Sequence, residues 1–355
     1  GGQSVIINGA GATFPFPLID TWRVEYQSVN PSVSLNYQSI GSGGGVRQFT
    51  ERTVDFGASD APLTEEETQG LPSTPVHIPE TIGSVVAAYN IQGIEKGLKL
   101  TGPVLADIFS GKITRWDDQR IVELNAGISL PSAEIITVHR SDGSGTTFIW
   151  TSYLSQASPE WNQTIGAGKS VQWAVGLGAS GNEGVSNTIL STPNSIGYVE
   201  LTYALTTNMD YASLMNNAGN FVEPTVASTQ AAVQNAIMIN STSTGNNNIN
   251  IANSTSSMSL PSGDQSWTHV SLLDAPGAES YPIASFSYLL LYKELSTNID
   301  SIEKAQALSQ FINWAITDGQ QFATPLHYVP LPDNVVQHNQ QTLRSLTFNG
   351  EPVLQ

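Results

Sequence analysis

Residues 135–154 read IITVHRSDGSGTTFIWTSYL. A short β-branched run, Ile135 to Val138, leads into a turn rich in glycine and hydroxyls, Ser141 to Thr147, and then into a helical pattern from about Thr146 to Leu154. That is strand, turn and helix in twenty residues. The first turn of a helix has unpaired backbone N–H groups and a partial positive charge, and glycine lets an anion come close to the backbone. The same design occurs twice upstream, in Gly9-Ala10-Gly11-Ala12-Thr13-Phe14-Pro15 and in Gly41-Ser42-Gly43-Gly44-Gly45-Val46. Singly, each reads as an ordinary capped helix. Three in one chain, spread over two domains, point to a shared anion site.

The α/β rhythm extends outward from this stretch. Toward the N-terminus come Val5 to Ile7, an amphipathic stretch through Leu18, Trp22 and Tyr26, then Val33 to Tyr37 and Val46 to Phe49. A strand is expected over Ile82 to Ile91, a helix near Val104 to Phe109, strands at Ile196 to Val199 and Ile283 to Tyr292, and a helix over Ile302 to Ile316 on the spacing of Ala305, Leu308, Ile312 and Ala315. The polar tract 240–263, with Asn246-Asn247-Asn248 and many serines and threonines, has too little apolar content for a core and reads as a loop or insertion. At roughly 100–200 residues per domain, 355 residues suggest two.

Composition removes whole classes of function. The net charge is −17, from 13 Lys+Arg against 30 Asp+Glu, with no basic stripe, which argues against nucleic acid as a partner. The apolar stretch Tyr281 to Tyr292 is broken by Pro282, Ser285 and Ser287 and is shorter than the roughly 20 residues of a membrane span. There is no cysteine, which excludes disulfides, thiolate metal sites and cysteine nucleophiles. The chain begins Gly-Gly-Gln without an apolar leader, so the expectation is that a signal segment has been removed or none existed. Sequons at Asn162, Asn240 and Asn253 would suit an extracellular chain.

Arg140 directly precedes the third loop and can grip a tetrahedral oxyanion with two parallel hydrogen bonds; Asp142 could pair with it and orient it. Asp60, in Asp55-Phe56-Gly57-Ala58-Ser59-Asp60-Ala61-Pro62, ends an apolar stretch at a position typical of a turn or cap. Other chemistries fail. Gly168-Lys169-Ser170 has Gln163 where a phosphate-loop lysine motif needs glycine. Gly176-x-Gly178-x-x-Gly181 matches a dinucleotide fingerprint with Glu200 about 20 residues on, but Asn182-Glu183-Gly184 reads as a poor helix start. The histidines at 77, 139, 269, 327 and 338 have no metal-ligand spacing, and Asp117-Asp118 and Glu65-Glu66-Glu67 read as solvated charges at helix ends. No catalytic residue and no metal site is expected.

The stretches GAGATFPFPL (9–18), YQSIGSGGGVRQF (37–49), VDFGASDAPLT (54–64), IFSGKITRWDD (108–118), HRSDGSGTTFIWTSYL (139–154), VGLGASGNEGV (175–185), SIGYVELTYA (195–204) and LPDNVV (331–336) together resemble one family, the phosphate-binding proteins (PstS family) of the high-affinity phosphate ABC transporter. The segment from about Asn208 to Asp274 contributes little to the match. Carried over by motif, the family's phosphate ligands fall on Thr13, Phe14, Ser42, Asp60, Arg140, Ser144, Gly145 and Thr146, which coincide with the loops picked out above. Departures are Gly43 where a second serine is common, His139 where another arginine often stands, and Ser141 in place of a small apolar residue; these bear on affinity and remove no ligand.

The resemblance implies a type II periplasmic-binding-protein fold: two α/β lobes joined by two crossing hinge strands, with phosphate in the cleft between them. Lobe I would comprise residues 1–85 and 270–355, and lobe II residues 86–269. The implied protein is an extracytoplasmic, monomeric solute-binding protein that needs no cofactor and delivers inorganic phosphate to ABC transporter permease subunits. An anchor, if there is one, would lie upstream, have been removed or be of another kind, since the lipid-bearing cysteine common in such proteins is absent. Asp60 is the informative ligand, because a carboxylate only accepts and so requires a proton that phosphate carries at neutral pH and sulfate lacks. The rival readings are a phosphoryl-handling enzyme in the same cleft, for which the hydroxyls have no base beside them, and a surface scaffold built on the same fold.

Overall fold

The computed structural model describes residues 4–242 and 260–354. The chain opens with β1 (Val5–Gly11), α1 (Phe16–Val29), β2 (Val33–Ser39), α2 (Ser42–Glu51), β3 (Phe56–Ser59), α3 (Glu65–Gln69) and the long β4 (Pro75–Asn90). There follow β5 (Lys99–Leu100), α4 (Gly102–Phe109), α5 (Gln119–Val122), β6 (Ile136–Arg140), α6 (Gly145–Ala157), α7 (Pro159–Thr164), β7 (Leu177–Ala179), α8 (Gly181–Ser191), β8 (Ser195–Glu200) and α9 (Leu201–Thr206). The remainder is β9 (Asp210–Tyr211), β10 (Ser213–Met215), β11 (Phe221–Val222), α10 (Val226–Thr242), β12 (Ala284–Tyr292), α11 (Ile302–Ile316), α12 (Asp333–Arg344), β13 (Thr347–Phe348) and β14 (Glu351–Pro352).

These elements form two units. Unit 1 holds Gly1–Ile82, Ile237–Ser271 and Phe286–Gln355; unit 2 holds Gly83–Ala236 and Leu272–Ser285. Two of the changes of unit fall within strands, one inside β4 and one near the start of β12. The sequence division places 260–269 in lobe II, whereas these residues pack on unit 1. The cause is Trp267, fully buried, whose ring meets those of His77, Tyr288 and His338. Of the sequons, Asn162 is exposed on α7. Asn240, Asn253 and most of the 240–263 tract lie outside the residues whose side chains are described.

In unit 1 the strand order is β2-β1-β3-β12, with β1 parallel to β2 and β3, and β12 antiparallel to β3. Helix α1 starts where proline suits a helix start and buries Leu18, Ile19, Trp22 and Tyr26, a spacing that puts them on one face. Trp22 Nε1–H donates to Gly319 O at 2.8 Å, so the largest side chain of that face is also hydrogen-bonded. Helix α11 is capped by Ser301 and buries Ala305, Leu308, Ile312 and Ala315, as the spacing predicts.

In unit 2 the order is β4-β8-β6-β7, with β9 also on β4; β8, β6 and β7 are mutually parallel and β4 is antiparallel to β8. Val86, Ala88, Val138, Val185, Ile189, Val199 and Leu201 form its apolar centre. Two expectations are corrected. Helix α8 starts at Gly181 despite Asn182-Glu183-Gly184, because Val185 and Ile189 bury against the sheet and packing outweighs a weak local start. Strand β4 begins at Pro75, seven residues before the expected Ile82, because buried polar residues, His77, Glu80 and Thr81, break the apolar pattern along a strand that is buried on both faces.

Candidate functional site

Within each unit the expected ligands gather at the C-terminal ends of parallel strands, where the next helix begins. This is where ligands bind in open α/β sheets. In unit 1, Thr13 and Phe14 follow β1 and precede α1, Ser42 is the first residue of α2, and Asp60 follows β3. All four are buried. Backbone bonds hold the three loops together: Ala12 N–H donates to Ala58 O at 2.9 Å, and Ile40 and Gly41 N–H both donate to Gly11 O, at 2.9 and 2.8 Å. Gly41, just before α2, has φ +92°, a conformation that glycine reaches without strain.

The hydroxyls here are oriented by what they accept. Ser42 Oγ accepts the backbone N–H of Asp60 at 3.1 Å, which leaves the hydroxyl proton to be donated. Asp60 Oδ1 accepts from Ser287 Oγ on β12 at 2.7 Å. Tyr328 donates to Phe14 O at 2.7 Å and Tyr37 to Ala12 O at 2.6 Å, pinning the first loop from two sides.

Unit 2 repeats the arrangement with the opposite charge. Arg140 ends β6, and its side chain is 1% exposed. Two of its five N–H groups, on Nε and Nη2, reach Asp142 Oδ1 and Oδ2, each at 2.7 Å, a fork-to-fork pair. Gly181 N–H, at the start of α8, adds a longer bond to Asp142 Oδ1 at 3.3 Å. Burial alone would raise the Asp142 pKa, but the hydrogen bonds and charge of Arg140 outweigh it, and the carboxyl sits below the ordinary aspartate value. The backbone N–H of Arg140 donates to Tyr198 OH at 3.0 Å, and that hydroxyl also bonds Thr147 Oγ1 at 2.7 Å, locking strand to helix.

Ser144 caps α6, its Oγ accepting Thr147 N–H at 2.9 Å, so its proton too is left for donation. Gly145 and Thr146 form the helix's first turn, with backbone N–H groups at its positive end. Thr146 Oγ1 accepts from Asn182 Nδ2 at 3.1 Å. The amide orientation is fixed, because Asn182 Oδ1 accepts Glu200 N–H at 2.9 Å. Thr146 is thereby set as a hydrogen-bond donor. Among the described residues no group of His, Asp and Glu is placed to hold a metal ion.

Sequence reasoning missed the supporting residues Asn182, Tyr198 and Ser287. Asn182 stood just after a rejected nucleotide motif, in a segment read as a poor helix start, and Ser287 looked like an interruption in an apolar strand. Only tertiary pairing reveals either.

Two α/β units, each presenting buried polar groups at strand ends and helix starts, define a solute-binding protein, and residues 1–319 match the PBP superfamily domain. The chain is 44% identical to the phosphate-binding protein PstS of Xylella fastidiosa strain 9a5c, over 94% of this chain and 84% of that one. It is 42% identical to PstS of Pasteurella multocida (94% and 89%) and 39% identical to PstS of Methanocaldococcus jannaschii (94% and 85%). The chain belongs to the PstS family of phosphate-binding proteins.

Solved structures agree on the fold. A phosphate-binding protein from Stenotrophomonas maltophilia superposes with TM-score 0.67 at 20% identity, covering 94% of this chain and 92% of its own. An ABC-type phosphate transport receptor from Vibrio cholerae gives TM-score 0.54 at 15% identity, covering 92% of this chain and all of its own. The expected type II periplasmic-binding-protein class is the class found.

Proposed function

We propose that this protein captures inorganic phosphate outside the cytoplasm and delivers it to the permease subunits of an ABC transporter, acting as a binding protein and not as an enzyme. The observation that carries the reading is the pairing of chemistries on two half-sites: a buried arginine with a helix N-terminus on unit 2, and a buried carboxylate among hydroxyl donors on unit 1. Both chemistries suit a phosphate ion. Arg140, the hydroxyls of Thr13, Ser42, Ser144 and Thr146, and the backbone N–H groups of Phe14, Gly145 and Thr146 donate to its oxygens. Asp60 accepts the proton that phosphate still carries at neutral pH. Asp142 contacts no ligand and holds one edge of Arg140.

A single full positive charge on the ligand-binding side suits a dianion that also brings its own proton. Sulfate, fully deprotonated, would set a lone pair against the Asp60 lone pair in a dry site and lose a bond, a penalty of the kind that separates ligands by orders of magnitude. The net charge of −17 opposes anion approach at long range but is screened beyond roughly 10 Å, so it slows association more than it weakens the bound state. The protein acts as a monomer, held at the membrane by an anchor outside the described residues; among those residues no helix is long and apolar enough to cross a membrane.

Calorimetric titration of ligand-stripped protein with phosphate, in the presence of excess sulfate, tests the reading. Tight one-to-one binding indifferent to sulfate is expected. Absence of heat from a folded, stripped protein would refute it.

A further inference from the structure

Glu80 lies on β4, is fully buried, and plays no part in the ligand set. Its backbone is tied down, Gln320 Nε2 donating to Glu80 O at 2.9 Å and Asn339 Nδ2 to the preceding Pro79 O at 2.7 Å. Its carboxyl is not. Oε1 has no hydrogen-bond partner, and Oε2 stands 3.5 Å from Ser287 Oγ. Ser287 is the residue that donates to Asp60 Oδ1 at 2.7 Å.

A serine hydroxyl has one proton. At 2.7 Å that proton is committed to Asp60, so toward Glu80 the serine oxygen presents only lone pairs. An ionised Glu80 would face those lone pairs, and beyond them the Asp60 carboxylate, from a fully buried position. Among the described residues no Lys, Arg or His pairs with it. Asp60 is the charged group that faces Glu80, and its other neighbours, Ser287, Gln320 and Asn339, are neutral. Two carboxylates around one hydroxyl cannot both be ionised cheaply in such surroundings. Burial, with the charge of Asp60 adding to it, pushes the Glu80 carboxyl well above the ordinary glutamate range.

We propose that Glu80 is a specificity-determining residue of the anion site: held as the neutral acid, it donates to Ser287 and so turns the Ser287 proton onto Asp60. The relay runs Glu80 O–H to Ser287 Oγ, then Ser287 O–H to Asp60 Oδ1. It lowers the proton affinity of Asp60, since a hydrogen bond donated to a carboxylate favours its charged form. Asp60 therefore stays an acceptor, and the site goes on demanding a protonated anion, at pH values where a lone buried aspartate would itself pick up a proton and accept sulfate. At alkaline pH, loss of the Glu80 proton breaks the relay and brings a second negative charge toward the ligand. This inference rests on the phosphate reading of Asp60.

The test has two arms, only one of which needs phosphate to bind. Infrared spectroscopy of phosphate-free protein at neutral pH is expected to show the carbonyl stretch of a protonated carboxylic acid that disappears in Glu80→Gln. In titrations with phosphate and sulfate from mildly acidic to alkaline pH, Glu80→Leu is expected to lose about tenfold in phosphate-over-sulfate preference, the scale of one hydrogen bond. Glu80→Gln, whose amide donates to Ser287 as the acid does, is expected to rescue the preference and to remove the alkaline loss of affinity. Absence of the acid band in the wild-type protein, or an alkaline limb in Glu80→Gln identical to wild type, would overturn the proposal. Should wild type bind no phosphate, the functional reading fails while the infrared band still decides the state of Glu80.

Discussion

Gly45 offers a test of how the first half-site is built. It lies in the first turns of α2, where that helix crosses β1 and β3. A Cβ there would sit 2.6 Å from Gly11 Cα, 2.7 Å from Ala58 O and 2.9 Å from Ala10 O. All three are backbone atoms of the sheet, so no side chain can swing aside; α2 must withdraw by about 0.8 Å to recover ordinary contact. Overpacking of this kind costs about 1–3 kcal/mol, against a gain of at most ~1 kcal/mol from the better helix propensity of alanine. For Gly45→Ala we expect a net loss near ~2 kcal/mol, or a fall in Tm of about 4–8 °C for a unit of this size. Because Ser42 begins the same helix and bonds Asp60 N–H, phosphate affinity should fall about tenfold with it.

Gly44→Ala is the control. Its Cβ would meet Ile40 Cδ1 at 2.8 Å and Cγ1 at 3.0 Å, atoms of a side chain that is 36% exposed, so the obstacle is a side chain at the surface and not the backbone of the sheet. That variant should match wild type or gain up to ~1 kcal/mol. Scanning calorimetry and isothermal titration on the pair decide the matter. Wild-type stability and affinity in Gly45→Ala, or equal damage in both variants, would refute the reasoning.

Two further perturbations probe other parts of the account. Asn182→Ala should weaken phosphate binding about tenfold by freeing the Thr146 hydroxyl to rotate, and Asn182→Asp by about a hundredfold or more, since a carboxylate draws the Thr146 proton away and adds charge beside the anion; an Asn182→Asp protein that titrates like wild type would be incompatible with this geometry. His77 is buried with Nε2 accepting Leu63 N–H at 3.0 Å, and burial lowers its pKa to about 3. Between that value and the unfolded one near 6.5 the unfolded chain binds a proton that the folded one refuses, so stability should rise with pH across this window by up to about 1.4 kcal/mol per unit. Unfolding midpoints measured from pH 4 to 7 should climb less steeply in His77→Gln, and equal slopes would assign the acid sensitivity elsewhere.

The sequence made the half-sites legible because anion binding at a helix start uses local chemistry. Glycine, serine and threonine next to a helical pattern are visible at Gly9–Pro15, Gly41–Val46 and Ser141–Thr147 without any knowledge of the fold. What it hid is tertiary. Gly45 looked like a glycine that admits an anion, whereas in the structure it admits the sheet. The first half of β4 was concealed by His77 and Glu80, polar residues whose burial makes sense only beside Leu63 and Ser287. Asn182 lies 36 residues from Thr146 in sequence, and Ser287 lies 227 from Asp60. No local pattern can signal such pairs.

The central claim is that Asp60 selects the anion by accepting a proton from it. Parallel titrations of wild type and Asp60→Asn with phosphate and with sulfate at neutral pH test it most directly. An asparagine amide can donate to an unprotonated oxygen, so the variant should lose phosphate affinity, acquire measurable sulfate affinity, and show a preference for phosphate reduced by about a hundredfold or more. An Asp60→Asn protein that keeps the full wild-type preference would contradict the account.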